Sequence, residues 1–375
     1  MLLTVASAIE CHPPAPASER LGALLAWLQQ LLRWQIELTR QTYGALADDE
    51  YRGLYVPDAE VDLIGAAEPP LPPALAAERA ALAAKRAALA DDASSDTPLA
   101  RLAQTFGLGP FEEDLLLLAL APELDLRFER VYAYIQDDVT RKRPSVDLAL
   151  RLLCATPAER LAARAAFAPG APLLHHRLIA LFEDGQRQPP LLGRFIKLDD
   201  RIAAELVGHP TIDPALAGLV ELTMPRRDAE SLQLSPELCD RLRRAVASHR
   251  DGLVLALQGS YGSGRRAVAE LLCAEAGRAL LLVNTAQLVD GDGGPAQALG
   301  PSELARRIVR EAVLRGAALL FSGADRLLGE EAGAAWRTAA DRFWRARARV
   351  AGSVAPFPSA SRKTSVAYPR TDRTS

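Results

Sequence analysis

Residues 106–153 read FGLGPFEEDLLLLALAPELDLRFERVYAYIQDDVTRKRPSVDLALRLL, and their punctuation is that of short helices laid end to end. Gly107 ends one helix, since glycine takes the left-handed turn that closes a helix without steric cost. Pro110 opens the next, with Glu112 and Glu113 in the first turn, where a helix N-terminus favours negative charge. A third helix is expected over 125–138. RKRP, 141–144, is a basic turn, and Ser145 is placed to cap a fourth helix.

The signals continue on both sides. Thr97-Pro98 is an N-cap followed by proline at the first helical position, and Thr156-Pro157-Ala158-Glu159 is a capping box. The pattern then changes period. LIALFED (178–184) and LGRFIKL (192–198) are strand-like runs joined by GQRQPP, too long for a tight hairpin. DDRIAAELVG returns to helix. Several helices followed by a loose β-hairpin is the order of a winged-helix domain, placed at 96–225.

Upstream, residues 1–92 form an N-terminal helical region. Leu21, Leu24, Leu25, Leu28, Leu31 and Leu32 have helical spacing within 17–45, with Trp27 and Trp34 adding bulk. Residues 51–73 are turn-rich, with five prolines at 57, 69, 70, 72 and 73. ALAAERAALAAKRAALADD, 74–92, is an alanine-rich helix that reads equally as a coiled-coil arm, a spacer or a solvated helix. DASSD, 92–96, is a linker.

Downstream, LVLALQGSYGSGRRAVAELL, 253–272, runs from a buried strand through glycines into a helix. Further strands are expected at 279–283 and 317–321, with helices at 235–249, 265–276 and 302–314. Strand–helix alternation implies a parallel sheet with crossovers. Gly259 and Gly264 fit the spacing G-x-x-x-x-G-K-[ST] of a phosphate-binding loop, in which backbone N–H groups and a helix N-terminus face an anion. The candidate nucleotide-binding residues are Gly259, Ser260, Tyr261, Gly262, Ser263, Gly264, Arg265 and Arg266. Arg265 stands where such loops carry Lys. Arg266 stands where a Ser or Thr hydroxyl would meet Mg²⁺, and a guanidinium repels a metal.

With the third strand, AALLFSGADRLLG, the chain resembles the AAA+ ATPases. Their second motif is an apolar strand ending in Asp-Glu, often followed by Ala-Asp. Aligning Ala324-Asp325 puts Ser322 and Gly323 at the two acidic positions. Neither holds a metal's water shell or activates water, and Asp325 lies beyond the strand end. Residues 106–153 also look like the winged-helix domain in front of a group of bacterial AAA+ ATPases similar to those found with contractile injection systems. The resemblance covers roughly 96–330. It implies ATP as ligand, without Mg²⁺ here, and protein partners in a larger remodelling or assembly complex. A complete module would add a polar sensor strand, an arginine finger and a helical lid. The expectation is therefore a partial, degenerate module at 234–345, cut short in its first ATPase domain, with EEAGAAWRTAADRFWRARARV as one helix and a disordered tail at 346–375. Without finger and lid, a ring from this chain alone is not expected.

The fold expected is thus α/β, a mainly helical N-terminal region and winged-helix domain followed by a partial P-loop parallel α/β module. The alternatives are a non-catalytic adaptor and a DNA-binding regulator. For DNA the candidates are Arg141, Lys142 and Arg143, with Arg187 in the wing loop. Glu112, Glu113, Asp114, Asp137 and Asp138 surround the first three and oppose a phosphate backbone. His175-His176 has no Cys or third His nearby and is set aside as a metal site. The 375 residues carry a formal net charge of -3, which does not suit a nucleic-acid-coating protein. Cys11, Cys154, Cys239 and Cys273 show no metal or disulfide spacing and read as reduced thiols of a cytoplasmic protein. The start, MLLTVASAIECHPP, is apolar but short and is read as no signal peptide; no run reaches a membrane span.

Overall fold

The computed structural model describes residues 2–5, 17–43, 70–91, 97–183, 188–226, 236–248, 253–260, 262–290, 299–328, 339 and 365–366. The described chain is mostly helical. It divides into two compact units, Pro14–Thr211 and a discontinuous one made of Met1–Pro13 and Ile212–Ser375. Strand β1, Leu2–Val5, opens the chain and belongs to the second.

The first unit begins with α1, Ala17–Tyr43, against which α2, Pro73–Asp91, packs. The alanine-rich helix is largely exposed but buries Leu75 and Leu82. Trp34 Nε1 donates to the Leu75 carbonyl at 2.9 Å and Trp27 Nε1 to that of Leu82 at 3.0 Å. Arg20 donates to the Leu89 carbonyl in the same sense. Donors and acceptors are each spaced by seven residues and run in opposite order, so the two helices form an antiparallel pair with a heptad seam.

Five short helices follow: α3 (Pro98–Phe106), α4 (Pro110–Leu124), α5 (Arg127–Ile135), α6 (Val146–Leu153) and α7 (Pro157–Ala163). Their caps are those the sequence announces. Thr97 Oγ1 accepts from Ala100 N at 3.1 Å and Ser145 Oγ from Leu148 N at 3.1 Å. Gly107 closes α3 at φ +63°. Thr156 Oγ1 accepts from Glu159 N at 3.2 Å, while the Glu159 carboxylate reaches Ala155 N at 2.8 Å, one residue before the reciprocal partner of a standard capping box. Helix α4 is buried along its run Leu115–Pro122 and forms the middle of the unit. Tyr132 on α5 is fully buried and donates to the Leu118 carbonyl at 2.8 Å.

The wing follows a one-turn helix α8, Pro172–His175. Strands β2 (Ile179–Phe182) and β3 (Phe195–Leu198) pair antiparallel, Ile179 opposite Leu198 and Phe182 opposite Phe195. A bridge from Ser145 to Phe195 ties the start of α6 to the hairpin. Helix α9, Asp200–Leu206, capped by Asp199, ends the unit's regular structure.

The second unit is a sheet with helices. Its elements are β4 (Val220–Thr223), α10 (Pro236–Ser248), β5 (Leu253–Leu257), α11 (Arg265–Glu275), β6 (Leu280–Asn284), α12 (Thr285–Asp290), α13 (Pro301–Leu314), β7 (Ala318–Ser322), α14 (Asp325–Leu328) and β8 (Ser365–Val366). Sheet order is β4-β6-β7-β1-β5-β8. Strands β6 and β7 are parallel neighbours, as strand–helix alternation requires. Strand β5 runs the same way but does not touch β7, because β1 lies between and is antiparallel to both. Leu255, Leu257, Val268, Leu272, Leu280 and Leu320 form the core under this sheet.

Several expectations fall on residues outside the described set: the turn-rich stretch 51–69, the linker 92–96, Arg187 in the wing loop, Cys11 and Tyr261. The helix expected over 330–350 is also outside it except for Ala339, as is the tail 346–375 except for β8. Among the described residues no helix is long and apolar enough to cross a membrane.

Candidate functional site

The glycine loop leaves the C-terminal end of β5 and enters α11, a helix of 11 residues. Gly262 and Gly264 have φ of +81° and +76°, the left-handed region that a side chain disfavours. The loop closes on itself, with Ser263 N donating to the Ser260 carbonyl at 3.2 Å, and Val268 N donating to Gly264 O at 2.9 Å begins the helix. A side chain at Gly259 would collide with Ser263 Oγ. That hydroxyl is buried and has no hydrogen-bond partner among the described residues. A buried unpaired hydroxyl costs free energy, so it marks a place where an acceptor fits.

The two arginines differ. Arg266 is exposed and its Nε donates to Glu270 Oε1 at 2.8 Å, one helical turn on. Arg265, at the first helical position, is half-buried.

The second half of the site sits at the end of β7. In register, Ser322 lies opposite Asn284 of β6. Ser322 Oγ donates to the Val283 carbonyl at 3.2 Å, and Thr285, fully buried, donates through Oγ1 to the Ser322 carbonyl. Gly323 has φ +73°, and a Cβ there would stand 2.9 Å from Thr285 Oγ1. Asp325 is exposed at the start of α14. Strands β5 and β7 finish at the same end of the sheet, two strand steps or about 10 Å apart. The sequence reading missed Thr285, whose clamp on β7 has no local signature. It also missed β1, which lies between the two halves.

The donor set fits phosphate and does not fit a metal. Two loop glycines with positive φ, one hydroxyl unpaired among the described residues and a helix start suit an anion. No carboxylate or hydroxyl stands at 266, 322 or 323 in the roles that would seat Mg²⁺, apart from the Ser322 hydroxyl, which is spent on Val283. Among the described residues no group of three or more His, Cys, Asp or Glu is placed to hold a metal ion. The His175 ring packs edge-on against His176 at 4.8 Å between centroids, and His176 lies 4.9 Å from Phe106.

The basic turn of the first unit is largely neutralised. Arg143 Nη1 lies 3.1 Å from Glu123 Oε1 and Arg141 Nε 3.3 Å from Asp138 Oδ2. Gln136 Nε2 also holds the carbonyls of Arg141 and Arg143, at 2.9 and 3.0 Å.

Residues 18–220 match the family described as "Winged helix domain, variant". That is more than half of the chain. The chain belongs to this winged-helix family. The match takes in the heptad pair α1–α2 as well as the helices and wing, and ends at the first residue of β4. Neither the curated proteins nor the solved structures contain a match.

Proposed function

We propose that this winged-helix protein carries, behind the winged helix, a degenerate P-loop module of AAA+ type that binds ATP without metal and without hydrolysing it. It acts as a nucleotide-holding or scaffold part of a larger remodelling assembly, of the kind associated with contractile particles. The observation that carries this reading is the loop between β5 and α11. Gly262 and Gly264 stand in the left-handed region, the Ser263 hydroxyl has no partner among the described residues, and the matching end of β7 offers Ser322 and Gly323 in place of acids. Positioning and charge neutralisation do most of the work of phosphoryl transfer, so a loop that keeps the cradle and lacks the metal seat binds and does not turn over.

Fluorescent ATP titrated with and without Mg²⁺ tests it. Saturable binding that changes little with Mg²⁺ is expected, and Arg265→Ala should weaken it about 10- to 100-fold, the range for a charge-assisted contact. No binding in either condition, or hydrolysis above the buffer rate, would overturn the proposal.

A second reading is a protein-binding adaptor in which the loop is vacant of function. The pairing of Arg141 and Arg143 with carboxylates favours it over DNA binding, since paired guanidiniums release few counterions on meeting phosphates. Duplex DNA binding with a steep salt dependence would reverse that order.

A further inference from the structure

The heptad seam of α1 and α2 repeats one arrangement twice, and only one copy is complete. Arg86 lies over the Trp27 ring, 5.7 Å from its centroid, and is paired with Asp114 at 2.5 Å and Glu113 at 3.0 Å. Seven residues back along α2, Arg79 lies over the Trp34 ring, 5.1 Å from its centroid. It donates to the Leu152 carbonyl at 2.8 Å, but no carboxylate of a described residue lies within ion-pair distance. Asp114 and Glu159 act on it only through space, and burial holds its pKa below the usual arginine range. A desolvated cation without an anion is costly.

Beside Arg79 and Trp34 the second copy has a cavity of about 640 Å³. Arg79, Trp34, Gln35, Thr39 and Arg151 line it, with Arg160 and Cys154. Gln35 is 6% exposed, and its carboxamide makes no hydrogen bond to another described residue. Arg151 binds Asp147 through Nη2 at 2.7 Å, while its buried Nε has no partner among the described residues. Thr39 is already committed as a donor to the Gln35 carbonyl at 2.9 Å. Two guanidiniums and one amide thus line the same space, beside an indole and the aliphatic Leu38 and Leu71.

We propose that this cavity binds a small ligand carrying an oxyanion and an apolar arm. The oxyanion pairs with Arg79 and Arg151 and accepts from Gln35, and the arm lies against Trp34 and Leu38. The site is separate from the glycine loop and does not depend on the nucleotide reading.

The test titrates the full chain with inorganic phosphate, phenyl phosphate and benzoate at constant ionic strength, reading tryptophan emission and the thermal midpoint. A saturable emission change is expected, absent in Trp34→Phe. Phenyl phosphate should bind at least fivefold tighter than inorganic phosphate, because it fills the apolar side. Preference between phenyl phosphate and benzoate identifies the oxyanion as phosphate or carboxylate. Arg79→Gln should weaken binding tenfold or more. Should that variant fail to fold, Arg151→Gln, whose side chain is 38% exposed, gives the same readout. Arg143→Gln should leave binding unchanged. No saturable response to any of the three anions, or a response untouched by Arg79→Gln and Arg151→Gln, would overturn the site.

Discussion

Trp27 Nε1 donates to the carbonyl of Leu82 at 3.0 Å across the α1–α2 seam, and both side chains are buried. An indole N–H needs a partner once it is inside a protein, and here the partner is a backbone carbonyl of the neighbouring helix. The contact fixes the register of the two helices as well as burying apolar surface. Trp27→Phe should therefore cost about 1 kcal/mol, the worth of one hydrogen bond, and Trp27→Ala about 3–5 kcal/mol. Urea unfolding followed by circular dichroism gives both numbers. A Phe variant as stable as the parent would show that the seam holds by packing alone.

Two carboxylates, Asp114 and Asp213, should respond to acid with opposite sign. Burial pushes the Asp114 carboxyl up to about 6, against the pull of the Arg86 charge. Its folded pKa lies above its unfolded value, so between pH 4 and 6 the folded state binds more protons and stability falls as pH rises. Asp114→Asn should lose this dependence on pH. Chemical denaturation of both proteins at pH 4, 5, 6 and 7 measures it. Parallel pH profiles would remove Asp114 as the cause.

Asp213 behaves the other way. Burial raises it, but the Ala215 N–H and the charges of Arg310 and Arg307 outweigh burial and hold the carboxyl below the usual range. It sits 2.7 Å from Arg310 Nη2 and 2.9 Å from Arg307 Nη1, and Arg310 is fully buried. Its stabilising contribution is present above the unfolded pKa and is lost as pH falls through the folded one. Asp213→Ala should cost about 3–5 kcal/mol at neutral pH and should flatten the acid limb of the second unit. Hydrogen exchange of α13 amides at pH 3 and 7 reads that limb directly; equal protection in parent and variant at both values would contradict it.

At Gly323 two costs coincide, a positive φ and a Cβ position 2.9 Å from Thr285 Oγ1. Gly323→Ala should destabilise by about 1–3 kcal/mol. Adding Thr285→Ala removes the collision and leaves the backbone term, so the double variant should lose less than the sum of the two single changes. Strict additivity in thermal unfolding would show that the φ penalty acts alone.

Removal of residues 1–5 should expose facing edges of β5 and β7 and destabilise the whole sheet, since β1 bonds to both. Amides of Leu255 and Leu320 should lose hydrogen-exchange protection in the shortened chain. Full protection there would mean that the two strands close on one another without β1.

Much of this protein is legible from its sequence because the signals act within one turn. Thr97, Ser145 and Thr156 cap helices through bonds spanning three residues, Gly107 needs only its own φ, and the period change at 178 marks the wing. The glycine loop is visible for the same reason, since its shape depends on the φ angles of Gly262 and Gly264. Tertiary structure alone decided the rest. Strand β1 pairs with residues some 250 and 320 positions away, and a four-residue apolar run does not say where its edges are met. The neutralisation of Arg143 by Glu123 is set by how helices come together, as is the contrast between Arg86, paired, and Arg79, facing a cavity. Both arginines stand in the same alanine-rich sequence over a tryptophan. What separates them is which side chains of α4 and α6 packing carries to each, and no local pattern encodes that.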